Sequence, residues 1–415
     1  RWHSYGILAY ASNQIHFRLE FLGDAVVEFL TTIHLFFLFS DLDEGGLATF
    51  RSALVQNRHL AVQNRHLATL ADRFELHKFM VYSHGPDLCH EADLRHAMAN
   101  AFEALMAAMF LDSNLEECDR VFSNVLFKDD KLLRNIWVAL PEHPLKRNNP
   151  FGDRHLIEKV QRNNPFGDRH LIEKVQCLQL LANFEESIGV RFKHIRLLAK
   201  AFTRRNVPYN YLTLGNGNNQ RLEFLGDTVL QLLTTEYLYK HFLLTTEYLY
   251  KHFPLHQEGH LSLLRTCLVS NKTQSLVCDE LDMTRFLVIP ETLAQLRLKD
   301  KADLNEAFVG ALYVNEAFVG ALYVDRGLIY CRQFCRSCFF PRLKYFIMTQ
   351  RWNDYFIMTQ RWNDPKSQLQ QCCLALRECG SGDPDIPEYK TIGVEGPTNT
   401  RIYRVAVYFR LTLEK

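Results

Sequence analysis

The chain has 415 residues, of which 47% are hydrophobic and 23% are charged, so it is long and apolar enough to form two or three domains. This composition excludes a disordered protein. The near balance of 48 basic and 47 acidic residues also excludes binding to polyanions through net charge alone. The longest apolar run, Val26 to Phe39, contains Glu28 and His34 and is expected to be too short to cross a membrane.

Apolar residues recur at three- and four-residue spacing through residues 19–39, 94–111 and 222–242, which predicts helices in both halves of the chain. Residues 141–176 contain the sequence PEHPLKRNNPFGD, which is typical of a linker. Further on, a helix is predicted over residues 366–377. The alternating sequence RIYRVAVYF, which starts at residue 401, predicts a strand.

The eleven cysteines show no spacing typical of a disulfide framework, which indicates a reducing compartment. Cys331, Cys335 and Cys338 have the C-x3-C-x2-C spacing of some iron–sulfur proteins. They fall at an apparent helix end rich in Arg and Phe, so we interpret them as structural cysteines.

Five segments are followed at once by unchanged copies of themselves, and they start at residues 55, 147, 232, 305 and 345. Structural repeats diverge and share one period, whereas these copies are 7, 15, 11, 10 and 10 residues long. Ten extra residues in a helix rotate everything downstream by roughly 80°, which would misplace its buried face. We interpret the copies as additions to the written sequence, and the mass of the intact chain decides whether the molecule carries them.

A diverged repeat lies beneath these copies and begins with the phrase RLEFLGD at residues 18–24 and 221–227. Residues 18–39 and 221–242 are identical at 13 of 22 positions, with an offset of 203. Further along, EGGLATFRSALVQN starts at residue 44 and EGHLSLLRTCLVSN at residue 258. The chain is therefore predicted to contain two homologous domains.

Each domain places two pairs of oxygen-bearing side chains at helical spacings, one pair four residues apart and a later pair three residues apart. These residues are Glu20, Asp24, Asn100 and Glu103 in the first domain, and Glu223, Asp227, Asp303 and Glu306 in the second. Two such helices can bring four oxygen donors together, and hard cations such as Mg²⁺ prefer oxygen ligands. One isolated acidic pair is usually a solvated face, but its recurrence in both halves favours a metal site.

The phrase RLEFLGD, followed downstream by the pattern D/N-x-x-E-A, resembles the signature of the ribonuclease III family. The segments LRHAMANAFEAL, FEESIGVRFKHIRLLAKAFT and WNDPKSQLQQCCLALR are similar to members of that family in the same order. The resemblance implies a mainly α fold with two tandem all-helical ribonuclease III domains that form an internal pseudo-dimer, followed by a partial α/β double-stranded RNA-binding domain. The implied segments are 1–140 for the first nuclease domain, 141–176 for the linker, 177–363 for the second nuclease domain and 364–415 for the RNA-binding domain.

The resemblance also implies that the eight residues at helical spacing are catalytic and bind Mg²⁺, with Mn²⁺ as an alternative. Glu316, in a repeated copy, is an alternative to Glu306. We prefer Glu306 because only that copy keeps an Asp three residues upstream. His84, in YSHGPDLC, resembles a family position that binds structural Zn²⁺ together with cysteines from a preceding region. A lone His is more often a loop or core residue, so both interpretations stay open.

The activity implied by the resemblance is hydrolysis of double-stranded RNA that leaves a 5′ phosphate and a 3′ hydroxyl. Each domain would cut one strand, which leaves a short 3′ overhang. The similar segments point to the nuclear branch of the family that crops hairpin primary microRNA transcripts with a double-stranded RNA-binding partner protein, away from any membrane. Two alternatives are a Dicer-like processing enzyme and a catalytically inactive ribonuclease III fold that acts as an RNA-binding scaffold.

Overall fold

The computed structural model divides into two compact units, residues 1–344 and 345–415. It describes residues 2–55, 65–80, 91–139, 169–205, 207, 217–244, 258–288, 296–317, 327–342, 388–395 and 402–408. Each of the five exact repeats extends outside these ranges, at least in part. The boundary between the units falls at residue 345, before the start predicted at residue 364 for the RNA-binding domain.

The first half of the larger unit is helical where the structure describes it. Its helices are α1 (Trp2–Leu38), α2 (Glu44–Val55), α3 (Arg65–Arg73), α4 (Glu91–Asp112), α5 (Leu115–Leu126) and α6 (Lys131–Val138). The helices predicted over 19–39 and 94–111 are confirmed as parts of α1 and α4. Side chains of Asn114 and Asp130 accept backbone N–H bonds at the first turns of α5 and α6, which explains where these helices begin.

The second half of the larger unit repeats this arrangement. Its helices are α7 (Arg169–Ile188), α8 (Ile195–Ala201), α9 (Gln220–Leu244), α10 (Glu258–Leu268), α11 (Asn271–Glu280), α12 (Leu298–Ala317) and α13 (Leu328–Cys338). The helix predicted over 222–242 is confirmed as part of α9. Helix α9 packs along α12 as α1 packs along α4, so the two signature helices occupy equivalent places. Helix α7 begins within the predicted linker segment.

A matching turn shows that the two halves share backbone detail. Glu75 and Asp282 both have positive φ angles, 56° and 50°, and each precedes a short 3₁₀ turn, Leu76–Lys78 or Met283–Phe286. Non-glycine residues rarely adopt this conformation, so its occurrence at two equivalent positions is a strong sign of one fold used twice.

Helix α1 is a core helix, although it is long. Its segment His16–Leu38 has 23 residues and a mean hydropathy of 1.6, so it is long and apolar enough to cross a membrane by length and composition alone. This segment is longer than the apolar run Val26 to Phe39, to which the expectation referred. However, 83% of that window is buried inside the protein, as expected for a helix that is apolar all round and packs between others. Its fully buried side chains include Leu22, Val26, Phe29, Leu30 and Ile33.

The two halves of the larger unit contact each other through α1 and α9, with contacts that are repeated across the interface. The Arg18 guanidinium donates to the Tyr239 carbonyl over 3.1 Å, and the Arg221 guanidinium donates to the Phe36 carbonyl over 2.6 Å. Each guanidinium also lies over the ring of the same residue, at 5.4 and 5.0 Å from the centroid. Both residue pairs are related by the sequence offset of 203, so the interface has internal twofold character.

The described cysteines of α13 contribute to packing. Cys331 and Cys335 are fully buried in α13, and Cys338 at its end is partly buried. The described cysteines form no disulfide bonds, which fits their interpretation as structural residues.

The smaller unit contains an antiparallel pair of strands, β1 (Glu388–Glu395) and β2 (Ile402–Tyr408). The strand predicted from RIYRVAVYF is confirmed as β2. The register pairs Glu388 with Tyr408 and Glu395 with Ile402, with an irregularity between Thr391 and Gly393. The helix predicted over 366–377 lies outside the described residues, so a double-stranded RNA-binding domain stays a prediction.

Candidate active site

A close crossing of α9 and α12 brings the second set of predicted site residues together. Gly226, within the second RLEFLGD phrase, lies against the backbone of Glu306, and a Cβ atom added at Gly226 would be 1.8 Å from that carbonyl oxygen. Gly310 on α12 lies equally close to the Leu222 carbonyl of α9. The two glycines therefore allow backbone-to-backbone contact, which any larger side chain would prevent.

Three carboxylates converge at this crossing. Glu223 on α9 and Asp303 and Glu306 on α12 each offer an oxygen, and the three ligand atoms lie within 4.8 Å of one another. All three side chains are partly buried. The helical spacings found in the sequence and the glycine crossing together produce this cluster, because neither alone would bring α9 and α12 into register.

Burial and mutual repulsion make these groups hard to ionise. Burial raises the pKa of Glu223 to about 8, with repulsion from Asp303 as the second cause. Burial also raises the pKa of Asp303, and it raises that of Glu306 well above its ordinary value, with repulsion from Asp227 adding to the effect. Clustered carboxylates with raised pKa values are chemically suited to a divalent cation, which would remove their repulsion and accept their oxygens.

Asp227 lies next to this cluster but outside the group of three. Its carboxylate accepts hydrogen bonds from the Gln231 amide at 3.1 and 3.3 Å, and burial raises its pKa. In the first half, Glu28 occupies the position of Gln231 and pairs with the Arg51 guanidinium at 3.2 Å. Burial raises the pKa of Glu28 to about 7, although Arg51 opposes this. The neighbourhoods of the two sites are thus different.

The first set of predicted site residues is built by the same kind of crossing. A Cβ atom added at Gly23 on α1 would lie 1.8 Å from the Glu103 carbonyl on α4, and Glu103 is only 3% exposed. Glu20, Asp24 and Asn100 are partly buried on the same two helices. Within the described residues, the 4.8 Å grouping of three acids is met by the second set and not by the first. Asn100 also removes one carboxylate that the second set has in Asp303.

For two further predicted ligands, His84 and Glu316, the structure does not describe the side chain. His84 lies outside the described residues, so a zinc site there stays a prediction. Glu316 lies in the last turn of α12, but its side chain is outside the description. Among the described side chains, Glu306 forms the cluster with Glu223 and Asp303, and the choice between the two copies stays a prediction.

A cleft beside the second cluster combines acids with a basic rim. Glu44, from α2 of the first half, faces the same cleft as Glu223 of the second half. Arg204 pairs with Asp300 at 2.7 Å, so part of the basic rim is held in place by an acid at the start of α12. The residues that line the cleft are Glu44, Arg204, Arg205, Asn219, Gln220, Glu223, Arg297, Lys299, Asp300 and Asp303.

Sequence reasoning missed two arginines that cross between the halves. The Arg51 guanidinium lies 4.5 Å from the Phe224 ring centroid, and that of Arg265 lies 4.8 Å from the Phe21 ring centroid. Arg265 also approaches the Asp24 carboxylate at 4.0 Å. The signal was present in the sequence, because both arginines occupy the same position in the segments that start at residues 44 and 258.

Both pairs of crossing helices lie largely within segments that match a known protein family. The model of the ribonuclease III domain matches residues 17–114 and again residues 220–315, which include all eight predicted site residues. Each of these two segments is therefore similar to a ribonuclease III domain. Each domain has its signature helix, α1 or α9, packed against the helix that bears its second pair of side chains, α4 or α12.

Similar proteins match most of the length of this chain. Proteins named Ribonuclease 3 from Mus musculus and Homo sapiens are each 50% identical over 396 residues, which is 95% of this chain. One from Caenorhabditis briggsae is 49% identical over 394 residues. The chain spans about a quarter of the mouse and human proteins and 32% of the C. briggsae protein. Among solved structures, Dicer from Giardia intestinalis matches 79% of this chain and 55% of its own with 17% identity and a TM-score of 0.45.

Proposed function

We propose that this chain is the catalytic portion of a metal-dependent endoribonuclease for double-stranded RNA, of the Drosha type. The observation that carries the proposal is the repeated crossing of a signature helix with a second acid-bearing helix in two ribonuclease III domains. Identity of about 50% to proteins named Ribonuclease 3 over 95% of the chain supports it. We further propose that the substrate is a hairpin primary microRNA transcript.

Within this proposal, Glu223, Asp303 and Glu306 form the ligand set of the second site. When bound, Mg²⁺ or Mn²⁺ supplies an activated water and neutralises charge at the scissile phosphate. These carboxyl groups would hold such a cation in their ionised form, because the cation would remove the mutual repulsion that, together with burial, raises their pKa values. Asp227 adds negative charge beside the cluster and is held there by Gln231.

The basic rim of the cleft suits an RNA backbone. Arg204, Arg297 and Lys299 line the cleft beside Glu223, so a phosphate that reaches the acids also meets guanidinium and ammonium groups. These contacts carry no base-specific information. Recognition would therefore depend on the shape of the duplex and on its phosphates, as is usual for double-stranded RNA.

Two sites in one chain account for the repeated phrase. We propose that each domain hydrolyses one strand, which leaves a 5′ phosphate, a 3′ hydroxyl and a short 3′ overhang. The paired contacts of Arg18 and Arg221 across the interface support an internal pseudo-dimer with its two sites related by twofold symmetry.

The remaining features belong to the same proposal. The smaller unit, with its antiparallel strands β1 and β2, would be a partial double-stranded RNA-binding domain. The partner would be a double-stranded RNA-binding protein of the Pasha type, and the location would be the nucleus. His84 would bind structural Zn²⁺ together with cysteines.

Strand-resolved cleavage of an end-labelled RNA hairpin tests the proposal, with Mg²⁺ and the partner protein present. We expect Glu103→Gln to abolish the cut on one strand and Glu306→Gln to abolish the cut on the other. Glu117→Gln is the matched control, because Glu117 is a partly exposed residue that pairs with Arg120. It should leave both cuts unchanged.

Three other results would each change the conclusion. Equal loss of both cuts in each single variant would contradict two independent sites. Tight hairpin binding without cleavage by the wild type would favour the inactive scaffold. Regular cuts measured from the end of long duplexes, with no preference for hairpins, would favour a Dicer-like enzyme.

A further inference from the structure

A buried amide contacts one acid of the second site, Glu306. Gln274 on α11 is 1% exposed. Its Nε2 donates to the Glu306 carboxylate at 2.5 Å and to the Val269 carbonyl at 2.9 Å. Its Oε1 accepts from the Asn305 amide at 3.0 Å. Both N–H bonds and the oxygen of Gln274 are therefore used, which leaves the side chain a single orientation.

This arrangement has the properties expected of a support for a metal ligand. The amide donates to one oxygen, Oε1, of Glu306. This hydrogen bond fixes the orientation of the carboxylate and therefore of its other oxygen. Because the amide is neutral, it adds no positive charge that would compete with a cation. Partners that hydrogen-bond to a ligating carboxylate commonly fix its orientation in this way.

The polar pair is a property of the second domain only. With the offset of 207 that relates Glu75 to Asp282, Gln274 corresponds to Leu67. With the offset of 203 that relates Glu103 to Glu306, Asn305 corresponds to Phe102. Leu67 and Phe102 are both buried, at 1% and 0% exposure, so the first domain has an apolar pair at the same places.

An apolar pair would be the simpler solution for packing. Asn305 is fully buried, and its Oδ1 has no hydrogen-bond partner in the described part of the chain. A buried polar atom without a partner lowers the stability of the fold, so the presence of Asn305 here calls for another explanation. The contact that Asn305 does make is the one that orients Gln274.

We propose that Gln274 is a positioning residue that holds Glu306 in its metal-binding orientation, and that Asn305 holds Gln274. The inference rests on the proposed function of the second site and makes its two domains unequal. Cleavage by the second domain depends on this amide, whereas cleavage by the first domain does not.

The test compares two methionine variants at equivalent positions. Gln274→Met keeps the length and approximate volume of the side chain but removes the N–H donor. Leu67→Met places the same residue at the corresponding position of the first domain and is a nearly volume-conserving apolar exchange. Cleavage of each strand of an end-labelled hairpin is measured as a function of Mg²⁺ concentration in both variants and in the wild type.

We expect Gln274→Met to raise the Mg²⁺ concentration for half-maximal cleavage of the second-domain strand by about 10- to 100-fold. The strand cut by the first domain should keep its Mg²⁺ requirement. Leu67→Met should change neither strand. An unchanged Mg²⁺ requirement in Gln274→Met, even with a lowered melting temperature, would assign Gln274 to packing and overturn the proposal.

A second readout does not need cleavage. Mn²⁺ binding to the full chain without RNA is followed by electron paramagnetic resonance, with Glu103→Gln as the background to remove the first site. Adding Gln274→Met to this background should weaken Mn²⁺ binding, and equal binding would refute the role of Gln274. If the wild type cuts neither strand, the proposed function fails, while this Mn²⁺ comparison still decides about Gln274.

Discussion

Replacing Gly226 with Ala is expected to damage the second site without touching any of its acids. The added Cβ would lie 1.8 Å from the Glu306 carbonyl oxygen and 2.7 Å from the Gly310 nitrogen. An ordinary contact needs about 3.4 Å, so α9 and α12 must separate by roughly 1.5 Å at their crossing. Both atoms are backbone, so a rotamer change cannot relieve the clash.

The separation has two measurable effects. Overpacking of this kind costs about 1–3 kcal/mol of folding free energy. A displacement of about 1 Å at a reacting centre can lower its rate by about 100-fold. Since Glu223 lies on α9 while Asp303 and Glu306 lie on α12, the crossing sets the distance across which they would share a cation.

The assay is strand-resolved hairpin cleavage together with thermal unfolding. Gly226→Ala should lower the rate of cleavage by the second domain by about 100-fold and leave most of the cleavage by the first domain. Gly23→Ala should show the reverse, because its Cβ meets the Glu103 carbonyl in the same way. Gly45→Ala is the control, since the nearest atom to its Cβ is 3.7 Å away. Wild-type cleavage of both strands by Gly226→Ala at an unchanged melting temperature would refute the reasoning.

Two further predictions concern stability. In Mg²⁺-free buffer, the melting temperature should fall as the pH rises from about 4.5 to about 8, because folding raises the pKa of Glu223 across that window and so favours its protonated form. In a series of thermal melts at different pH values, Glu223→Gln should reduce this dependence of the melting temperature on pH. An unchanged dependence would contradict the raised pKa of Glu223. Arg221→Ala should destabilise the interface more than Arg18→Ala in urea unfolding, because Arg221 donates to the carbonyls of Phe36, Phe39 and Leu42 while Arg18 donates to that of Tyr239. Each bond to a charged donor is worth about 1.5–3 kcal/mol, so equal losses would show that the extra bonds of Arg221 are not formed in solution.

Much of the second site could be predicted from local sequence pattern. The spacing of Asp303 and Glu306 places both on one face of a helix, whatever that helix packs against. The repeated phrase RLEFLGD likewise predicted two equivalent domains. The helices predicted over 94–111 and 222–242 end within three residues of the observed ones, whereas α1 begins 17 residues before its predicted start. These features depend on helix periodicity, which is a property of neighbouring residues.

The C-terminal strand was predictable for a similar reason. Alternating apolar residues in RIYRVAVYF fit the two-residue period of a strand, and β2 covers Ile402–Tyr408. The position of its partner β1 was not predicted, because pairing depends on residues more distant in the sequence.

Tertiary structure alone decided which side chains meet. Asp227 shares a helix face with Glu223, yet the close group of three acids contains Glu223, Asp303 and Glu306. That choice depends on where α9 crosses α12, which the backbone contact at Gly226 sets. The role of Gln274 could not be predicted from the sequence, because the pattern of a single helix does not indicate that its amide contacts a carboxylate 32 residues away. Distances between elements, and the pKa shifts that burial produces there, arise from packing between residues far apart in the chain, and local periodicity carries no information about that packing.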